Sequence, residues 1–200
     1  RAALADTIET WLPGSVREIL EAGREGLGIV WQIVDRVQAL PGDKLAVLRN
    51  TGAIVSADAR LLAPVTNPRL IVAAGLAYRS HLAEMAGTPE PPYPTAFLKS
   101  VNSLAGPEAR IPLPHDTETH IDYEGELAVV FGRDCHCVNR DTAMDYVAGF
   151  TVSNDVSARD WVRDVWEAQS PWDARRTWEV NIMGKQFPSF TPMGPCLLTV

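Results

Sequence analysis

The first forty residues show the apolar spacing of helices. Ser15-Val16-Arg17-Glu18 has the form of a capping box, in which the serine and glutamate side chains each satisfy a free backbone N–H at the start of a helix. Further on, one helical face is formed by residues at the i, i+3, i+4, i+7 spacing: Val30, Ile33, Val34 and Val37. We therefore expect helical structure up to about residue 40, with this face in the core.

Turn signals and shorter apolar runs follow. Pro41-Gly42-Asp43 is typical of a turn, and two apolar runs, residues 44–48 and 53–55, flank Asn50-Thr51-Gly52. This pattern predicts a small β-hairpin.

A change in composition suggests a division of the chain. Thr66-Asn67-Pro68 interrupts it just before the strand-like run 70–74, and we place a boundary there. The predicted units are an N-terminal segment, residues 1–66, and a second unit, residues 67–200. The second unit is patterned mostly as short strands, interrupted by a short helix after Asp141 and another across residues 158–166.

Residues 121–131 form the most informative segment, because strand side chains alternate between two faces. Asp122, Glu124 and Glu126 therefore share one face. The other face is apolar and comprises Tyr123, Leu127, Val129 and Phe131. Neighbouring carboxylates on one face repel each other unless they are solvated, protonated or joined by a cation. A divalent metal would remove this repulsion, and an exposed acidic face is the alternative.

A further carboxylate lies at the end of a second strand. Residues 147–154 are largely apolar and lead to Asp155, after which we expect a helix to begin at Ser157. Asp155 is either a third metal ligand or a cap of that helix. Ligands that are all oxygen favour a hard cation such as Mg2+ or Mn2+, with Ca2+ as an alternative.

Composition and charge exclude several classes of protein. The chain is 46% hydrophobic and 22% charged, with 18 Lys and Arg against 25 Asp and Glu, a net charge of −7. Because no basic run could neutralise a phosphate backbone, we expect no nucleic-acid partner. The apolar runs are strand-sized, so we expect no membrane partner either. Three cysteines are few and odd in number, which favours a reducing, cytoplasmic location.

Several blocks, taken in order, resemble the fumarylacetoacetate hydrolase superfamily. They are residues 71–85, 97–99 with 103–107, 122–133, 149–160, and 184–187 leading to 192–195. The resemblance implies an α+β, predominantly β fold: a mixed β-sandwich roll of the fumarylacetoacetase catalytic-domain type, with a small helical N-terminal segment. It also implies that the C-terminal part of the roll is missing from this chain.

The resemblance also implies a set of functional residues. Glu124, Glu126 and Asp155 would hold Mg2+ or Mn2+, on which a small-molecule 2-oxo or 2,4-dioxo acid would chelate. Family members are commonly homodimers, which makes a homodimer the expected state.

Further site residues follow from the same blocks. His81 would be the general base that activates water, with Glu84 as its partner. Lys185 would be both catalytic and substrate-binding, and the other substrate-binding residues would be Tyr78 and Lys99.

The expected activity is hydrolysis of a C–C bond in a 2,4-dioxo acid of the acylpyruvate type, through a metal-stabilised enolate. One alternative is a 2-oxo acid decarboxylase, hydratase or isomerase on the same site. Val162, which stands where the family often has Gln, favours this alternative slightly because it removes a polar group. A catalytically silent scaffold is the third hypothesis.

Overall fold

The computed structural model describes residues 12–85, 89–114, 120–161 and 168–200. Two α-helices lie at its start, α1 (Val16–Glu21) and α2 (Gly23–Gln38). The Ser15 hydroxyl accepts a hydrogen bond from the Glu18 N–H (3.2 Å), and the Glu18 carboxylate accepts one from the Gly14 N–H (2.6 Å). The predicted start of a helix at this capping motif is thus confirmed. Gly23, the first residue of α2, has a φ of +58°, a value that glycine adopts without strain.

The apolar face predicted on α2 is half-buried. Val30, Ile33, Val34 and Val37 are all partly covered, while Ile29 is buried. The periodicity therefore located the inward side of this helix.

The predicted β-hairpin is wrong. Residues Gly42–Asn50 form a third helix, α3. Its last turn is closed by Thr51, whose N–H and hydroxyl both donate to the Val47 carbonyl (3.0 and 2.9 Å). Lys, Leu, Ala and Arg are all good helix formers, and their propensity outweighs the hairpin pattern over so short a run.

An antiparallel pair of strands follows the helices along the chain. β1 (Ile71–Gly75) pairs along its whole length with β2 (Thr95–Lys99). A short helix, α4 (Arg79–Glu84), follows β1. The predicted strand at residues 70–74 is therefore confirmed with a shift of one residue.

The main sheet has four strands. They are β3 (Leu104–Ala105), β5 (Gly125–Phe131), β6 (Val147–Asn154) and β8 (Thr191–Thr199), in the spatial order β3-β8-β6-β5. Among the described strands of this sheet, only the β3–β8 pair is parallel. A smaller sheet joins β4 (Ile121–Asp122) to β7 (Ser157–Ala158), and a long helix, α5 (Pro171–Met183), precedes β8. Helices and small sheets together agree with the predicted α+β class.

The strand predicted across residues 121–131 is divided. Tyr123 and Glu124 lie between β4 and β5, which belong to different sheets. The apolar face of β5 points outward, with Leu127, Val129 and Phe131 all exposed. Glu126 lies on the opposite, half-buried side, as the alternation predicted.

The helix predicted from Ser157 is also wrong at its start. Ser157 lies in β7 and is fully buried, and a 3-10 turn follows over Arg159–Trp161. The rest of that predicted helix, and Val162, fall outside the described residues. After Asp141 the predicted helix is present as 3-10 helix over Arg140–Tyr146.

A compact apolar cluster lies beside β7. Val156, Ala158 and Phe190 are at most 2% exposed. Partly buried residues pack around them: Ile111, Ile121, Trp161 and Phe187. This cluster flanks Ser157 on both sides and gives the neighbouring polar groups a rigid support.

Among the described residues, no helix combines the length and the apolar character needed to cross a membrane.

Candidate metal centre

Three carboxylates converge where β5 and β6 meet. Glu124 precedes β5, Glu126 lies on β5, and Asp155 directly follows β6. One oxygen from each of the three lies within 4.8 Å of the others. Asp122, which the alternation placed on the same face, does not belong to this group. The three ligands that the resemblance implies are thus brought together by the fold.

Backbone hydrogen bonds hold this convergence in place. The Asp155 N–H donates to the Glu124 carbonyl (2.9 Å), and the Glu124 N–H donates to the Asn154 side-chain oxygen (2.9 Å). Gly125 pairs with Asn154 in the adjoining ladder. These bonds explain why the strand is divided at Glu124, since its backbone pairs with the end of β6 instead of continuing β4.

The Lys185 ammonium bridges two of the carboxylates. It donates to Glu124 Oε1 (3.0 Å), to Asp155 Oδ2 (2.8 Å) and to the Ser157 hydroxyl (2.6 Å). Its residue follows the end of α5, where the Gly184 carbonyl accepts a hydrogen bond from the Ala158 N–H (3.0 Å). The structure therefore places Lys185 at the centre of the predicted site.

Lys99 is more deeply buried than the substrate-binding role predicted for it would suggest. It is 4% exposed, its ammonium pairs with Asp155 Oδ1, and it donates to the Phe190 carbonyl (3.2 Å). Burial lowers the pKa of Lys99, although the attraction of Asp155 opposes that change. In this arrangement Lys99 contacts a predicted ligand of the metal.

Arg159 and Ser157 are site residues that the sequence analysis missed. Arg159 Nη2 donates to Glu124 Oε1 (2.6 Å) and to Asp122 Oδ2 (2.9 Å), while the Ser157 hydroxyl lies 3.1 Å from Glu124 Oε1. Asp155, Ser157 and Arg159 alternate in sequence, which is the spacing of one strand face. That signal was hidden because a helix was expected at this point.

Glu124 and Glu126 have pKa values shifted in opposite directions. Burial raises the pKa of Glu124, but the attraction of Lys185 and Arg159 outweighs it, and the pKa lies below its ordinary value. Burial raises the pKa of Glu126, and repulsion by Asp155 and Glu124 raises it further. A cation bound among the carboxylates would offset the repulsion of Glu126 by Asp155 and Glu124.

The predicted base and its partner lie on α4 and are exposed. His81 Nδ1 is 3.8 Å from Glu84 Oε2, and their side chains are 54% and 78% exposed. Tyr78, just before α4, reaches β5, where its hydroxyl accepts a hydrogen bond from the Leu127 N–H (3.3 Å). The structure thus pairs His81 with Glu84 and connects Tyr78 to β5.

The donor set fits a hard divalent cation. The three converging groups offer carboxylate oxygens alone, the ligands that Mg2+ and Mn2+ prefer. Three cationic side chains, Lys99, Lys185 and Arg159, face these three carboxylates and Asp122, which leaves one formal negative charge. A divalent ion would therefore make the site positive and complementary to an acidic substrate.

Known proteins resemble this chain, and the resemblance covers most of its length. Residues 70–200 match the model of the fumarylacetoacetate (FAA) hydrolase C-terminal family. A curated relative, the mitochondrial oxaloacetate tautomerase fahd2 of Xenopus laevis, is 34% identical over 188 residues, which are 94% of this chain and 51% of that protein. The chain spans about half the length of the curated relatives it matches.

Solved structures show the same fold. The fumarylacetoacetate hydrolase of Exiguobacterium antarcticum aligns with a TM-score of 0.60 and 25% identity, over 98% of this chain and 58% of its own. The 5-carboxymethyl-2-hydroxymuconate delta-isomerase of Mycobacterium smegmatis aligns with a TM-score of 0.55 and 36% identity, over 72% of this chain and 51% of its own. The predicted fold class is thereby confirmed.

Proposed function

Since this chain belongs to the fumarylacetoacetate hydrolase family, we propose that it acts as a divalent-metal-dependent enzyme on a 2-oxo acid. The observation that carries the proposal is the convergence of Glu124, Glu126 and Asp155 around the Lys185 ammonium. Such a set binds a hard cation and leaves a positive group beside it.

Each residue has a distinct task in this proposal. Glu124, Glu126 and Asp155 would hold Mg2+ or Mn2+, with Ca2+ as an alternative. A bound ion would polarise the 2-oxo group and stabilise negative charge that develops on its oxygen. Lys185 supplies a second positive group, held in position by Ser157 and two carboxylates. Lys99 fixes Asp155 from the buried side.

Enol–keto isomerisation is the reaction we propose first. It requires a proton to move at the carbon beside the oxo group, but no attacking water. The names of two relatives, a tautomerase and an isomerase, support this choice. The enol of oxaloacetate, the compound in the tautomerase's name, is therefore the first substrate to test.

Hydrolysis of a C–C bond in a 2,4-dioxo acid is the second candidate. The specific observation in its favour is the His81–Glu84 pair, a histidine beside a carboxylate that can hold the imidazole as a general base. This reaction would require His81 to approach the substrate. His81→Ala separates the two candidates, because isomerisation without attacking water should survive it.

The experiment compares Mn2+ binding with turnover. Calorimetric titration with Mn2+, with and without oxalate as a mimic of the 2-oxo acid group, is run on the protein and on Glu126→Gln. Glu179→Gln, the same change on exposed α5, is the matched control. The ketonisation of enol-oxaloacetate is followed by ultraviolet absorbance in parallel, with Mn2+ or with chelator.

We expect saturable binding that oxalate strengthens, and turnover that the chelator abolishes. Glu126→Gln should lose both, whereas Glu179→Gln should retain both. Equal Mn2+ binding by the protein and Glu126→Gln, or no binding by either, would contradict the proposal and favour a catalytically silent scaffold.

Three predictions about assembly, location and domain division stay predictions. These are the homodimer, the cytoplasmic location and the division near residue 66. All three cysteines are free and exposed, as a reducing compartment allows.

A further inference from the structure

The Glu124 carboxylate is held through one of its two oxygens. Three donors converge on a single oxygen of Glu124, Oε1: the Ser157 hydroxyl, Arg159 Nη2 and Lys185 Nζ. Among the described residues, every hydrogen bond to the Glu124 side chain ends on this oxygen. The arrangement leaves Oε2 as the oxygen that can serve a metal.

Arg159 differs from the other two donors in what holds it. Its Nε and Nη2 both donate to Asp122 Oδ2 (3.0 and 2.9 Å), and its backbone N–H donates to the His120 carbonyl (2.7 Å). Both Asp122 and His120 lie in or beside β4, which is paired with β7. The guanidinium is therefore tied to the small β4–β7 sheet before it reaches Glu124.

We propose that Arg159 is a positioning residue, which clamps Glu124 Oε1 against Asp122 and thereby presents Oε2 to the metal. This inference rests on the proposed function, because it concerns a ligand of the proposed metal. A guanidinium can bridge two carboxylates with its planar fork, whereas a lysine ammonium is a single point of charge on a flexible stem. Hydrogen-bonding partners of metal ligands commonly change metal affinity by about 10- to 100-fold when they are altered.

Charge and position predict opposite results for this residue. If Arg159 acted only by its charge, Arg159→Lys would bind Mn2+ as the unaltered protein does. Arg159→Gln would then bind Mn2+ more tightly, since a positive group has been removed from beside the ligands. If Arg159 positions Glu124, both variants should bind Mn2+ more weakly.

The test is a calorimetric Mn2+ titration of the protein, Arg159→Lys, Arg159→Gln and Glu126→Gln. Arg69→Lys is the matched control, because Arg69 also lies near two carboxylates, Asp134 and Glu21, on the surface. Thermal unfolding shows that each variant is folded, and the electron paramagnetic resonance spectrum of bound Mn2+ reports the ligand geometry. We expect Arg159→Lys and Arg159→Gln to weaken binding about tenfold and to change that spectrum.

The outcomes separate this inference from the proposed function. Unchanged affinity in Arg159→Lys together with tighter binding in Arg159→Gln, while Glu126→Gln loses binding, would overturn the positioning role and leave the metal site standing. Mn2+ binding that Glu126→Gln does not affect would overturn both. A tenfold loss in both Arg159 variants, with Arg69→Lys unchanged, would support both.

Discussion

The carboxylate–lysine cluster and helix α4 carry the two halves of the predicted chemistry, and they are built in opposite ways. The cluster consists of Glu124, Glu126, Asp155, Lys99 and Lys185. Lys99 and Asp155 have side chains only 2% and 3% exposed, whereas the His81 and Glu84 side chains on α4 are more than half exposed. One half is fixed by the fold, and the other lies on the surface.

This difference separates binding from reaction type. Hydrogen bonds from Lys99 on β2, from Ser157 on β7 and from Lys185 after α5 hold the cluster together. In the α4 pair, His81 Nδ1 lies 3.8 Å from Glu84 Oε2, and both side chains are more than half exposed. We infer that the cluster determines the class of substrate and that α4 determines whether water takes part.

The largest expected effect comes from Lys99→Met. Removing one partner of a buried ion pair leaves the Asp155 carboxylate with less compensation, and we expect a loss of about 3 kcal/mol in the free energy of unfolding. Urea denaturation measures this loss, and Lys44→Met on exposed α3 is the control. If the two variants lose similar stability, the buried pair is not what holds the cluster.

The next effect tests the support beneath Lys185. A Cβ added at Gly184 would lie 2.9 Å from the Trp161 Cβ and 3.0 Å from the Ala158 carbonyl oxygen. We expect Gly184→Ala to cost about 2 kcal/mol, because backbone has to move. Gly28→Ala in α2, where nothing lies within 4 Å, should instead be neutral or stabilising. Thermal unfolding of both variants checks the contrast, and equal effects would contradict it.

A smaller effect of opposite sign is expected for Glu126→Gln. The pKa of Glu126 is raised in the folded protein, so the folded state binds its proton more tightly than the unfolded chain does. Its unfavourable contribution is therefore absent below the ordinary pKa of 4.5 and develops as the pH rises through the raised pKa.

Without metal, Glu126→Gln should then be more stable than the unaltered protein at neutral pH, by about 0.5 kcal/mol. The difference should disappear in acid. Urea denaturation at several pH values measures it, with Glu179→Gln as control. Destabilisation at neutral pH would contradict this prediction, because it would mean that favourable contacts of the Glu126 carboxylate outweigh its burial and its repulsion by Asp155 and Glu124.

The smallest structural effect is expected on α4. His81→Ala removes an exposed side chain, so the free energy of unfolding should change by no more than about 0.5 kcal/mol, and Mn2+ affinity should not change. Hydrolysis of an acylpyruvate, if the protein performs it, should fall by about 100-fold or more. An unchanged hydrolytic rate would show that His81 takes no part in the mechanism. A loss of Mn2+ binding would show that α4 contributes to the metal site.

The sequence predicted the converging carboxylates better than their surroundings. Alternation placed Asp122, Glu124 and Glu126 on one strand face, and the apolar pattern of the next strand placed Asp155 at its end, because strand periodicity is a local property. The family resemblance then selected Glu124, Glu126 and Asp155 as the predicted ligands. Arg159 was missed because its position depends on the β4–β7 pairing. Its contact with Glu124 joins residues that are 35 positions apart in the sequence.

The two wrong predictions of local structure have different causes. Residues 42–50 carry apolar positions compatible with strand or helix, and only the helical propensity of their neighbours decides between them. Ser157 looked like a helix start, since serine commonly caps helices. In the folded chain its hydroxyl instead joins Glu124 and Lys185. Burial and strand pairing, which a single sequence does not display, decided the second case.

The most direct test of the central claim is anomalous diffraction from crystals of the protein grown with Mn2+ and oxalate. We predict one strong manganese peak within coordination distance of Glu124, Glu126 and Asp155, with oxalate completing the ligands on the open side. A crystal that holds manganese elsewhere, with the three carboxylates bound only to Lys99, Lys185 and Arg159, would contradict the metal centre.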